Sequence, residues 1–213
     1  MSRGVLIVFD GAEGAGKTTQ LRRLAAWLRS NGRSVIQLRE PGGTPLGDEI
    51  RRLLLDPGSD IAPRAEALMF MASRAQLLER VVWPSLTAGH VVLLDRFFLS
   101  TYAYQGAGRG LPPEEIRQAN ALATAGQVPD LTLLLTLPVA EGLARADERS
   151  GRDRMERNAD EFHHRVGAAF ATFATPEWQA QHPECGPISV LDASGSADAV
   201  FARVMAAVEQ TLR

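Results

Sequence analysis

An α/β fold, a five-stranded parallel sheet flanked by helices on both faces, is predicted from three observations. Five short runs of strand type, at Val5–Phe9, Ser34–Leu38, His90–Leu94, Leu131–Leu137 and Ile188–Leu191, are separated by longer segments of helical spacing. Most of these runs are continuously apolar rather than alternating, as strands buried on both faces are. The chain, 213 residues, is long enough for one well-buried domain and short for two. No internal repeat, low-complexity segment or linker divides it, so residues 1–213 read as a single domain.

Each element has its own warrant. Val5–Phe9 is short and rich in β-branched residues, and Leu21, Leu24, Ala25 and Leu28 follow at the spacing of one helix face. Asn31-Gly32 is a helix stop. After the second strand, Pro63 opens a helical stretch that runs to about Ala88. A bend is expected near Pro84, which has no N–H to donate and whose ring crowds the preceding turn. The third, fourth and fifth strands are again spaced by helical patterns, and Asp198–Leu212 closes the chain as a helix. Between two of these helices, Ser150–Asp153 is a short, polar, charge-dense break.

Bulk composition narrows the function classes. The net charge is −2, which argues against a duplex nucleic-acid partner, since such proteins carry a basic face. One cysteine, Cys185, excludes an intrachain disulfide and suits a reducing, cytoplasmic compartment. Residues 1 to 10 lack the basic and apolar regions of a secretory signal, and no apolar run approaches the ~20 residues of a membrane span. The four scattered histidines and single cysteine form no zinc-site spacing.

The stretch FDGAEGAGKTTQL holds the only lysine in the chain, Lys17. It fits G-x-x-x-x-G-K-S/T, lies after a predicted strand and opens a predicted helix, which is the context of a P-loop. Gly11, Ala12, Glu13, Gly14, Ala15 and Gly16 form a turn whose N–H groups can converge on an anion. The helix start adds its unpaired N–H groups and positive dipole end. Lys17 supplies a compact ammonium for the β- and γ-phosphates of ATP, a role that a broad planar guanidinium fills poorly. Thr18 offers a hydroxyl to Mg²⁺, and Thr19 completes the nucleotide-binding run. Asp95, at the carboxyl end of the third strand, is the second metal candidate, directly or through water. Arg96 then faces the crevice where open α/β sheets bind ligands. A guanine reader of the Asn-Lys-x-Asp kind needs a second lysine, and a protein kinase needs a strand lysine away from its glycine loop; neither is present.

LREPGGTPLGDEIR (38–51), MFMASRAQLLE (69–79), DRFFLSTYAYQGAGRG (95–110) and PDLTLLLTLP (129–138) together resemble the thymidylate kinase family, in register over roughly residues 4 to 192. The resemblance implies transfer of the γ-phosphoryl of ATP to dTMP, with Mg²⁺, in a homodimer. It implies that Phe70 stacks on thymine and Arg74 hydrogen-bonds its edge, that Arg96 and Arg51 hold the dTMP phosphate, and that Glu13 meets the 3′-hydroxyl. It places Arg39, Glu40, Ser100, Thr101 and Gln105 along the acceptor pocket and Tyr104 against the 2′ position. Thr136 stands where many relatives carry Asp, and Phe97 where His or Tyr is common. Phe70 and Arg74, four apart, share a helix face.

Phosphoryl transfer needs alignment, exclusion of water and neutralised charge. ADERSGRDRME (146–156) carries Arg149, Arg152 and Arg154 around Ser150-Gly151, as a closing lid requires. The family places a catalytic arginine in the P-loop or in the lid. Ala12-Glu13-Gly14-Ala15 holds none, so the resemblance assigns it to the lid, with Arg149 first and Arg154 second. Two other readings stay open: a small P-loop kinase with a different acceptor, and a nucleotide-binding protein without catalysis.

Overall fold

A computed structural model of the chain describes residues 3–147, 154–155 and 160–212. Its centre is one sheet of five parallel strands: β1 (Val5–Gly11), β2 (Val35–Arg39), β3 (Val91–Asp95), β4 (Leu131–Thr136) and β5 (Ile188–Asp192), in the order β2-β3-β1-β4-β5. The register pairs Val5 with Val91 and Ile7 with Leu131, so the carboxyl ends of β1 and β3 finish side by side at Phe9 and Asp95.

Period-two alternation assigns each strand residue to one of two cores. Ile7, Phe9, Leu93 and Leu133 face the helices α1 (Lys17–Ser30) and α10 (Ala197–Thr211). Leu6, Val8, Val92, Leu94 and Leu134 face the opposite layer. That layer contains α3 (Pro63–Leu77), α4 (Trp83–Thr87), α5 (Phe98–Thr101), α6 (Pro113–Thr124) and α8 (Asp160–Phe173). Both faces are therefore covered, as the continuous apolar runs require. Shorter helices α2 (Pro45–Leu55), α7 (Val139–Asp147) and α9 (Pro176–Gln181) complete the chain.

The stretch from Pro63 differs from the sequence expectation in detail. Just before the bend expected near Pro84, Leu78–Val82 forms one π-helical turn between α3 and α4, and the flanking residues keep right-handed helical dihedrals. A wider turn just before a proline makes room for its ring and absorbs the missing hydrogen bond. A second π-helical segment, Tyr102–Gly108, continues α5. α2 is opened by Thr44, whose hydroxyl accepts from the Gly47 N–H at 3.0 Å, with Pro45 at its first position. The break at Ser150–Asp153 falls outside the described residues.

Candidate active site

A cleft of about 800 Å³ runs along the carboxyl edge of the sheet, from the β1–α1 turn to α3 and the Tyr102–Gly108 segment. The turn is built by glycine. Gly11, Gly14 and Gly16 have φ of 138°, 68° and 80°, a region that side chains rarely occupy. At Gly14 space is also decisive, because a Cβ there would overlap the carbonyl oxygen of Gly142 in the first turn of α7. α1 then begins at Lys17 with no side chain capping it, so its N-terminal N–H groups face the cleft as an anion site.

Lys17 is 7 % exposed and donates from Nζ to the carbonyl oxygens of Gly11 (3.0 Å) and Ala12 (2.7 Å). Burial, assisted by the Arg96 cation, lowers its pKa to about 8, against the pull of Asp95, Glu13 and Asp10. Thr18 Oγ1 donates to Asp95 Oδ2 at 2.5 Å. A hydroxyl and a carboxylate so close, beside a phosphate-shaped turn, are the hard oxygen donors that Mg²⁺ prefers, and these two residues fit the ion.

Arg96 opens the acceptor side. It is a non-glycine residue at φ 73°, held there by its own N–H to Phe9 O (2.9 Å) and by Asp10 beneath it. Asp10 is wholly buried and accepts four hydrogen bonds. Oδ1 takes Gly11 N (3.0 Å) and Ser100 Oγ (2.6 Å), and Oδ2 takes Phe97 N (3.1 Å) and Ser100 N (3.0 Å). It thus welds the end of β1 to the start of α5 and fixes the turn that presents Arg96. The Arg96 guanidinium donates to Ser100 Oγ at 2.9 Å and lies 5.1 Å from the Tyr104 ring centroid. Burial opposes its charge, but Tyr104, Glu13, Asp95 and Asp10 outweigh burial and hold its pKa above the ordinary value. Burial in turn pushes the Tyr104 phenol up to about 12, with Glu13 adding to it, so the hydroxyl stays protonated.

Of the residues singled out in the sequence, the cleft is lined by Glu13, Gly14, Gly16, Lys17, Thr18, Thr19, Arg39, Glu40, Arg51, Phe70, Arg74, Asp95, Arg96, Ser100, Thr101, Tyr104 and Gln105. Gly11, Ala12 and Ala15 shape the turn from behind. Arg51 also donates from NH1 to Pro41 O at 3.1 Å. Arg149 and Arg152 lie outside the described residues. Arg154 is described and does not line the cleft. It donates from Nε to Leu54 O (2.7 Å) and from NH2 to Glu66 Oε2 (2.6 Å).

Arg74 is placed differently from a simple base reader. It is 2 % exposed, and its Nε and NH2 both reach Glu40 Oε2, at 2.7 and 2.6 Å. NH2 also donates to Phe97 O at 2.9 Å, and NH1 donates to Asn120 Oδ1 and, weakly, to Met71 Sδ at 3.9 Å. All five N–H bonds point at protein acceptors, so a direct bond to a ligand requires exchanging one of them. Burial raises the Glu40 carboxyl above its usual range, with Arg74 pulling the other way. Asp10, Glu66 and Asn120 were not singled out in the sequence, though each is wholly buried beside a cleft residue. Asp10 carried one signal, an acid ending an apolar strand, which is the same signal that identified Asp95.

A parallel sheet carrying a glycine turn, a buried lysine, a hydroxyl–carboxylate pair and an opposing arginine–aromatic pocket defines a P-loop nucleotide kinase. A family model described as "Thymidylate kinase" matches residues 9–183. A thymidylate kinase of Deinococcus radiodurans is 47 % identical over 210 residues, 99 % of this chain and 98 % of that protein. One of Chlorobium chlorochromatii is 42 % identical over 220 residues, covering 98 % and 96 %. A crystal structure of thymidylate kinase from Ehrlichia chaffeensis superposes with a TM-score of 0.75 at 28 % identity, covering 97 % of this chain and 99 % of that one. The chain belongs to the thymidylate kinase family.

Proposed function

We infer that this protein transfers the γ-phosphoryl group of ATP to dTMP, giving ADP and dTDP. One observation carries the reading: the Lys17 turn and a pocket containing Phe70, Arg51, Arg96 and Tyr104 open onto the same cleft. The two substrates would meet across it. The β1–α1 turn and Lys17 hold the triphosphate, and Lys17 places its charge where the β- and γ-oxygens lie. When bound through Thr18 and Asp95, Mg²⁺ neutralises charge on the transferring phosphate. Arg96 and Arg51 hold the dTMP phosphate in line, Phe70 offers a face to thymine, and Tyr104 crowds the 2′ position and favours deoxyribose. No general base is required, because the attacking phosphate oxygen is already ionised. The lid arginine Arg149 supplies transition-state charge. Exposed apolar side chains such as Leu68 on α3 and Leu122 on α6, 65 % and 88 % accessible, support a homodimer through these helices. A cytoplasmic site of action is consistent with the described residues, among which no helix is long and apolar enough to cross a membrane.

The alternative acceptor reading is separated by steady-state assay of ATP–Mg²⁺ against dTMP, dUMP, CMP, AMP and GMP. dTMP is expected to have the highest kcat/KM. A higher value for any other nucleotide would refute the assignment of the acceptor pocket.

A further inference from the structure

We propose that Glu66 is a positioning residue for the acceptor pocket, and that Arg154 is its anchor on the far side of that pocket rather than a cation for the transferring phosphate. The proposal rests on the dTMP reading above. Glu66 lies in the first turn of α3, its side chain has no exposure, and its carboxylate is the meeting point of three elements. Oε1 accepts from Gln105 Nε2 (2.8 Å) and Arg109 Nε (3.2 Å), and Oε2 accepts from Arg109 NH2 (3.1 Å) and Arg154 NH2 (2.6 Å).

One acid facing two guanidiniums and an amide is an expensive arrangement unless geometry is closely satisfied. Here both oxygens are occupied, and the donors hold the carboxyl below its ordinary pKa despite burial. Arg154 spreads its planar fork over separate acceptors. NH2 goes to Glu66 and Nε to the Leu54 carbonyl at the end of α2, while the Arg154 backbone N–H donates to Leu55 O at 3.1 Å. Those bonds fix the backbone at residues 154–155 and set Met155, 7 % exposed, into the cleft lining beside Leu55. The same carboxylate orients Gln105, which also lines the cleft. Glu66 therefore controls two parts of the acceptor wall without touching the substrates, while among the described residues Lys17 and Thr18 have no bond to this cluster.

Glu66→Gln, Arg154→Met and Met155→Ala are compared with the unaltered protein in dTDP formation. Each variant is expected to raise KM for dTMP about tenfold, the order expected for loss of one charged hydrogen bond or of the wall it sets. KM for ATP should stay within about twofold, because the donor side keeps every contact. Glu66→Gln combined with Arg154→Met should be no worse than the poorer single variant, since both break one link. If Glu66→Gln does not fold, Arg154→Met and Met155→Ala decide the matter. KM values for both substrates that are unchanged, that rise together, or that rise for ATP alone would overturn the proposal, as would a large fall in kcat at constant KM in Arg154→Met. Absence of dTMP turnover by the unaltered protein would instead count against the functional reading.

Discussion

With ATP held at Lys17 as proposed, the buried ammonium should make ATP binding a proton-coupled event in alkaline solution. Burial lowers its pKa to about 8 from an ordinary 10.5. The gap corresponds to roughly 3 kcal/mol held against the charged form, at about 1.4 kcal/mol per pH unit. The sign follows from which state holds more protons. Between those two values the unfolded chain binds the proton that the folded chain has shed. The destabilisation is therefore fully present below pH 8 and is relieved as pH rises toward 10.5. A triphosphate beside Nζ restores the proton, because an opposite charge favours the ammonium. With a free pKa of about 8, binding should take up about 0.1 proton at pH 7, about 0.5 at pH 8 and about 0.9 at pH 9. Affinity for ATP should fall about tenfold between pH 7 and pH 9 through this group alone. ATP phosphates, whose last ionisation lies near pH 6 to 7, add almost nothing at pH 9. Calorimetry with a non-hydrolysable ATP analogue, in two buffers of different ionisation enthalpy at each pH, reads the uptake directly. Binding heats at pH 9 that do not depend on the buffer would refute the reasoning.

Other perturbations separate the parts of the site. Asp10→Asn turns an amide NH₂ toward N–H donors that now meet a carboxylate, and should cost about 2–3 kcal/mol of stability in denaturant titration while lowering kcat through a displaced Arg96. Gly142→Ala brings a Cβ within 2.5 Å of the Glu13 carbonyl oxygen, so it should raise KM for ATP more than KM for dTMP, as measured by initial rates with each substrate varied. Phe70→Ala should raise KM for dTMP most, whereas Arg149→Ala should lower kcat with little change in dTMP affinity, because its interaction forms in the transition state; a dTMP KM effect alone in Arg149→Ala would contradict that role.

How far each feature could be read from sequence depends on how local its cause is. The Lys17 turn is local: strand, glycines, lysine and helix start occupy fourteen consecutive residues, Val5 to Thr18, and each constrains the next. The three central strands, β1, β3 and β4, were legible because burial on both faces leaves a continuous apolar run. Strand ends shifted by one or two residues, as at β1, which runs on to Gly11 because its ladder with β4 continues to Leu135. Strand order was not legible, since it depends on which helices cross which face. Pro84 signals a perturbed helix, but the π turn before it, whose Leu78 and Val82 are packed in the core, has no sequence signal of its own. Apart from the Gly11 N–H on Asp10, the partners of Glu66, Asn120 and Asp10 lie 39 to 90 positions away. Nothing beside Glu66 or Asn120 in the chain distinguishes a buried hub from a solvated acid or amide, and at Asp10 only the preceding apolar strand does. Arg74 shows the converse: its place in the cleft wall was expected by resemblance, but its five engaged donors follow from Glu40, Phe97 and Asn120, in three separate parts of the chain, and from Met71 on its own helix.

The central claim is that phosphate held at the Lys17 turn passes to a pyrimidine deoxynucleotide in the facing pocket. Its most direct test is dTDP formation from ATP–Mg²⁺ and dTMP by the unaltered protein and by Lys17→Met, with folding of both checked by circular dichroism. Turnover of dTMP is expected in the first, and a loss of about a thousandfold or more in the second. Equal dTDP formation by both proteins would contradict it.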